Sequence, residues 1–242
     1  MILLVGAFLV SLIPAVALFL WMRNGLYKDR PVRSDYGTLC NKALVRGLAV
    51  TAMVVLVSGV LHIGGNILGA RSLPPVVEAF YHTFFVLAFS EELCKTFMLK
   101  RLIDTNPDRG FSWLDIIVFM TCIGIGFELL ESLIYGFSTG PQHMLVRGFT
   151  VMHAAFALIM GYFYGKGLRT GSKLYLALGF VVPWIMHGLY DFCISEAVMT
   201  WNENLGFISL VLAVACAVIA VRMVFFLRKA RDLEMYTEPM DM

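Results

Sequence analysis

The chain carries ionisable side chains inside segments whose neighbours are almost all apolar. Glu91, Glu92 and Lys95 stand in Ser-Glu-Glu-Leu-Cys-Lys, and Glu128 and Glu131 in Gly-Ile-Gly-Phe-Glu-Leu-Leu-Glu. His153 stands alone in a later apolar run, and His187 and Asp191 share His-Gly-Leu-Tyr-Asp. Each such group costs about 2.5–3.5 kcal/mol near the centre of a membrane span, so each needs a reason to be there. Helical spacing sorts them into faces, since residues three or four apart are neighbours on a helix. Lys95 follows Glu91 by four and Glu92 by three, so it can pair with either. Glu131 follows Glu128 by three and precedes Tyr135 by four. Asp191 follows His187 by four, where its carboxylate can orient the imidazole. Four successive segments thus each present one polar face, and those faces are expected to meet one another rather than lipid. Five carboxylates against one lysine and two histidines cannot all be charged at low dielectric. A carboxylate that trades its proton near neutrality is a general acid or base. Simpler roles stand beside this one: Lys95 as a counter-ion only, Glu128 as a helix-packing residue. His62, His82 and His143 fall near segment ends or in connections and are read as bystanders.

The elements that position these groups follow from composition. Of 242 residues, 59% are hydrophobic and 15% charged, and the mean hydropathy is +0.78. A soluble domain has about half apolar and a quarter charged residues, so an ordinary soluble enzyme, a disordered tail and a coiled coil are excluded. A spanning helix needs about 20 mainly apolar residues, and seven runs qualify: 2–22, 44–63, 76–99, 113–137, 148–165, 174–194 and 205–227. The expected fold is therefore all-α, a polytopic integral membrane bundle of about seven transmembrane helices. Residues 1–242 read as one transmembrane domain, with 76–194 as its catalytic core and 228–242 as a short tail. The first run lacks a basic leader and a small-residue cleavage site, and reads as a retained helix.

Lysine and arginine set the orientation. Fifteen of the 19 basic residues fall on alternate connections: Arg23 to Arg46, Lys100 to Arg109, Lys166 to Lys173, and Arg228 to Arg231. The opposite connections hold Arg71 and Arg147. The positive-inside bias then places the amino terminus outside and the carboxyl terminus in the cytoplasm, in the cell membrane. Several other signals are structural. Pro74-Pro75 opens the third run, Ser112 and Asp115 have the spacing of a capping box, and Gly161-x-x-x-Gly165 after Ala157 forms a small-residue stripe. Pro183 is expected to kink the sixth run. Five cysteines show no short paired spacing and read as buried small apolar residues. No internal repeat is visible, and nothing points to nucleic acid.

The polar motifs, taken together and in order, resemble the PrsW family. The resemblance rests on Glu-Glu-x-x-Lys (Glu91, Glu92, Lys95) and Gly-x-Gly-Phe-x-x-x-Glu-x-x-x-Tyr (Gly124 to Tyr135). It continues with His-Ala-x-Phe-Ala-x-x-x-Gly-Tyr from His153 and His-x-x-x-Asp from His187. It covers residues 78–192; Ser132 stands where the family often has Asn. These are intramembrane proteases, related to the CAAX-prenyl proteases and abortive-infection membrane proteins. The resemblance implies hydrolysis of a membrane-anchored protein within the lipid bilayer, typified by site-1 cleavage of an anti-sigma factor during envelope stress. By position, Glu91, Glu92, Glu131, His153 and His187 match the residues that such proteases need, with Lys95, Glu128, Asp191 and Tyr135 supporting.

Family names disagree between glutamic protease and metalloprotease. No His-Glu-x-x-His is present; a mixed set of His153, His187 and a glutamate can still take zinc. The reading taken from sequence is metal-free, with one of Glu91 and Glu92 as base, His153 assisting and His187 donating to the oxyanion. Three alternatives stay open: a CAAX-type prenyl-protein protease, a proton-coupled transporter, and a non-catalytic membrane scaffold. One conflict is internal to this reading. Glu92 lies about 12 Å along a helix from Lys100, whereas His187 lies about 21 Å from Lys173, so the two motifs are expected at different depths.

Overall fold

The computed structural model describes residues 2–28, 34–139, 145 and 150–237. Arg30, Arg33, His143, Arg147, positions 148–149 of the fifth run and residues 238–242 lie outside the described residues. Among the described residues every regular element is helical. The order is α1 (Ile2–Leu20), continued by a π-helical turn at Trp21–Gly25, then α2 (Tyr36–Ile67) and α3 (Pro75–Phe80). A π-helical segment (Tyr81–Ala88) joins α3 to α4 (Phe89–Asp104), and α5 (Trp113–Thr139) follows. The chain ends with α6 (Met152–Thr170), α7 (Lys173–Ile194), the short α8 (Glu196–Trp201) and α9 (Gly206–Thr237). Among the described residues, five helical stretches are long and apolar enough to cross a membrane: Val5–Gly25, Tyr36–Ile67, Trp113–Phe137, Lys173–Ile194 and Glu203–Asp232. The protein is an all-α membrane protein.

Helix ends overrun the apolar runs. Lys42 and Arg46 lie on α2, Lys100 and Arg101 on α4, Lys166 and Arg169 on α6, and Arg228, Lys229 and Arg231 on α9. The reason is that lysine and arginine are good helix formers whose aliphatic stems let the charge leave an apolar layer without ending the helix. The expected tail at 228–242 is accordingly helical as far as Thr237.

Residues 114–128 of α5 are buried without exception, the pattern of a central helix that is apolar on all sides. Glycine lets its neighbours close on it. A Cβ on Gly47 of α2 would strike the Ile123 carbonyl of α5, and one on Gly126 would strike the Leu44 carbonyl. On the opposite side a Cβ on Gly124 would come within 2.5 Å of the Ala157 Cβ and the His153 carbonyl of α6. The Gly161 and Gly165 stripe packs the same way against Ile117 and Trp113. Gly126→Ala is therefore expected to lower stability by about 1–3 kcal/mol, the usual cost of overpacking. Gly59→Ala, with open space around its Cβ, should be neutral or better. Thermal unfolding of both variants in detergent checks this.

The capping box forms as spaced: Ser112 donates its backbone N–H to Asp115 Oδ2 and Asp115 its own to Ser112 Oγ, both at 3.1 Å. Pro183 lies inside α7, which runs through it from Lys173 to Ile194. All five cysteines are free and buried.

Candidate active site

The π-helical segment sets the register of the acidic pair. A π turn leaves carbonyls out of the ordinary ladder, and here Phe84 O accepts from Trp184 Nε1 of α7 at 2.6 Å. Gly188, one turn beyond Trp184, lies against the Phe84 ring, with no room for a Cβ. This double contact docks α7 on the segment just before Ser90-Glu91-Glu92 and brings His187, between the two anchors, onto the acidic pair. The depth conflict disappears for a second reason as well. α4 runs on to Asp104, so Glu92 lies about 18 Å from its end at 1.5 Å per residue, close to the corresponding 21 Å for His187. His187 Nδ1 is 2.9 Å from Glu92 Oε1.

Around that contact the polar groups converge from four helices. Lys95 Nζ, wholly buried, lies 2.8 Å from Glu92 Oε1, 3.9 Å from Glu91 Oε2 and 2.9 Å from His153 Nδ1. An ammonium only donates, so His153 Nδ1 accepts and the ring proton is on Nε2, which meets Glu131 Oε2 at 2.5 Å. His187 Nε2 lies 3.3 Å from Asp191 Oδ2 and 3.7 Å from Glu91 Oε2. Aromatic rings wall the cluster. Phe127 meets His153 edge-on at 4.8 Å and lies under Lys95 at 4.5 Å, while Phe156 stacks on His187 at 5.4 Å.

Both histidines have a carboxylate beside Nε2, Glu131 or Asp191, and turn Nδ1 inward, but to opposite partners: His153 Nδ1 accepts from the Lys95 ammonium, whereas His187 Nδ1 donates to Glu92 Oε1. Carboxylates behind imidazoles fix the tautomer and raise the basicity of the inward nitrogen, the arrangement usual around metal-ligating histidines. Glu91, Glu92, His153 and His187 each offer one ligand atom, all within 4.8 Å of one another. Oε2 of Glu91 and Oε2 of Glu92 are buried without a hydrogen-bond partner, a costly state for a carboxylate oxygen. Two imidazole nitrogens and two carboxylates are a donor set that zinc accepts. The residues therefore fit a divalent metal, with Lys95 Nζ lying among the same lone pairs.

The remaining sequence candidates take other places. Glu128 Oε2 accepts from the Ala154 backbone N–H at 3.4 Å, at the first turn of α6, where a helix has unpaired donors and favours negative charge. Tyr135 is half-buried one turn beyond Glu131, and Ser132 is buried beside it. Trp184 and the π-helical segment went unnoticed in the sequence. A tryptophan one turn before the histidine motif was the available signal for the first, and composition carries none for the second.

Fold and site together define a polytopic membrane protein with a buried Glu/His centre. The sequence model of the PrsW family, described as an intramembrane metalloprotease, matches residues 39–224, and the chain belongs to that family. It is 33% identical over 129 residues to Protease PrsW of Bacillus subtilis (strain 168), covering 51% of this chain and 58% of that protein. Protease PrsW of Oceanobacillus iheyensis is 32% identical over 120 residues, 48% of this chain and 55% of that protein. Protease PrsW of Clostridioides difficile (strain 630) is 26% identical over 196 residues, 76% and 77% of the two chains. The match thus spans little more than half the length of the first two relatives. No solved structure matches the chain.

Proposed function

We propose that the chain is an intramembrane peptidase that hydrolyses a peptide bond of a membrane-anchored protein. The observation that carries this is the convergence of Glu91, Glu92, His153 and His187 within 4.8 Å, in a chain of this family. Glu92 is committed to Lys95 and His187, which makes it the anchor of the centre. Glu91 Oε2 lies 3.9 Å from Lys95 Nζ and 3.7 Å from His187 Nε2, beyond hydrogen-bond distance of either, and Glu91 is the general base. Water attacks the scissile carbonyl carbon, its proton passes to Glu91, and Glu91 returns it to the leaving nitrogen as the C–N bond breaks. His153, fixed by Glu131, keeps the Lys95 ammonium beside the acidic pair. His187, backed by Asp191, swings from Glu92 to donate to the developing oxyanion, a contribution often worth about 10²–10³ in rate. Glu92, His153 and His187 would hold a zinc-like metal, which supplies Lewis-acid polarisation and a more acidic water when bound, and Glu91 would remain the base beside it. The substrate class is a single-span protein such as an anti-sigma factor. Incubation of the purified chain with candidate single-span substrates tests the reading: site-specific cleavage supports it, and solute uptake driven by a pH gradient in proteoliposomes would favour transport instead.

The topology belongs to the same reading. Seven spans, with the amino terminus outside and the carboxyl terminus cytoplasmic, take the polar segment at 76–99 and the run at 148–165 as spans alongside the five apolar helices. Residues 76–194 are its catalytic core. Reporter fusions after Lys42, Arg109 and Lys173 are expected to report from the cytoplasm, and an external signal at Arg109 would overturn the arrangement.

A further inference from the structure

At the end of the bundle where α2 begins and α4 ends lies a concave site of about 530 Å³, lined by Thr38, Asn41, Lys42, Val45, Arg46, Thr105 and Asn106. Its charge is one-sided. Both ionisable side chains that line it, Lys42 and Arg46, are basic. The nearby carboxylates are engaged elsewhere, Asp104 with Lys100 at 2.6 Å and Asp35 with Arg109. Among the described residues no carboxylate pairs with Lys42 or Arg46. Arg46 is half-buried and held across the site by a 3.0 Å bond from Nη2 to Thr105 Oγ1, so its guanidinium is positioned before any ligand arrives.

We infer that this is a binding site for the phosphate headgroup of an anionic phospholipid. Two uncompensated cations, Lys42 and Arg46, with hydroxyl and amide side chains around one cavity are the chemistry that takes a phosphate. What selects a lipid over a free anion is the surface that continues from the cavity. Below Lys42 the same face of α2 is exposed and apolar through Val45, Leu48, Ala52, Val55 and Leu56. From Val45 to Leu56 that stripe is about 16 Å long at 1.5 Å per residue, or half of a hydrocarbon core about 30 Å thick. Its length is that of one acyl chain in one leaflet. The headgroup would bridge α2 to α4, the helix that carries Glu91 and Glu92.

The test uses the full chain in neutral detergent, titrated with phosphatidylglycerol or with phosphatidylcholine of the same acyl chains. Bound lipid is read by native mass spectrometry and thermal shift. Retention of phosphatidylglycerol over phosphatidylcholine is expected, with at least tenfold weaker retention in Lys42→Gln/Arg46→Gln. Lys42→Gln alone alters only an exposed lining side chain; it is expected to weaken retention too and keeps the site testable where the double variant does not fold. Arg169→Gln/Lys229→Gln removes the same charge elsewhere and is expected to bind as wild type. Equal loss in that control would reduce the effect to diffuse attraction and overturn the site. Displacement of the lipid by millimolar inorganic phosphate, with equal stabilisation, would overturn the assignment to a lipid.

Discussion

Replacing Glu91 by glutamine is expected to lower peptide hydrolysis by about 10²–10⁴-fold, the usual contribution of a positioned general base. The variant should still insert, fold and bind substrate. Glutamine keeps the shape and the accepting carbonyl oxygen, but it cannot take a proton from water. Glu92→Gln should lose activity too, for a different reason. Oε1 of Glu92 receives Lys95 and His187 together, and a neutral amide leaves a buried ammonium without its closest counter-charge. Breaking one partner out of a buried ion pair costs about 3–5 kcal/mol, so Glu92→Gln should also unfold at lower temperature. The pair of variants therefore separates the two glutamates: Glu91→Gln loses turnover alone, whereas Glu92→Gln loses turnover and stability. Near-normal cleavage in both would remove the acidic pair from the reaction.

His187→Ala and metal analysis make up the second large effect. The donor set fits zinc, so the purified active chain is expected to carry about one metal ion, and a chelator is expected to inactivate it. His187→Ala should lose metal and activity together. Asp191→Asn should do less, because asparagine still accepts a hydrogen bond from the ring Nε2 that Asp191 meets at 3.3 Å; loss of such a supporting partner typically costs about 10–100-fold in metal affinity or activity. Full activity in metal-free protein would leave the reaction to Glu91 and His187 without a metal. In that case His187→Ala should depress turnover far more than substrate binding, because an oxyanion bond forms mainly in the transition state.

Much of this centre is legible in the residues themselves. Spacing of three and four puts Glu91, Glu92 and Lys95 on one face and His187 with Asp191 on another, and charge in an apolar run has few places to go but inward. Axial depth is not legible, because periodicity reports which way a side chain faces and not how far along its helix a neighbour lies. The expected mismatch between Glu92 and His187 came from ending the helix at its first basic residue, and α4 does not end there. The cross-helix partners were also hidden. Lys95 reads locally as a partner for the glutamates, yet it reaches His153 as well, and Glu128 reads as part of an acidic face, yet it serves the first turn of α6. Both depend on how closely α5 and α6 approach, which small residues permit but do not announce.

That close approach has a mechanical consequence. α5 meets α2 through Gly47 and Gly126, and meets α6 through Gly124 and Ala157, with main chain against main chain on both sides. Contacts of this kind have no side-chain slack. α5 can neither rotate nor slide without unseating two neighbours at once, so α2, α5 and α6 behave as a chassis. His153 and Glu131 ride on that chassis. Glu91, Glu92 and His187 belong to α4 and α7, where α7 is docked on the segment before α4 through an indole and a phenyl ring and meets α6 main chain to main chain at Gly179. His153 and Glu131 thus sit on the most tightly interlocked helices, and any displacement of α4 or α7 against them changes the spacing between His153 and the other three members of the donor set.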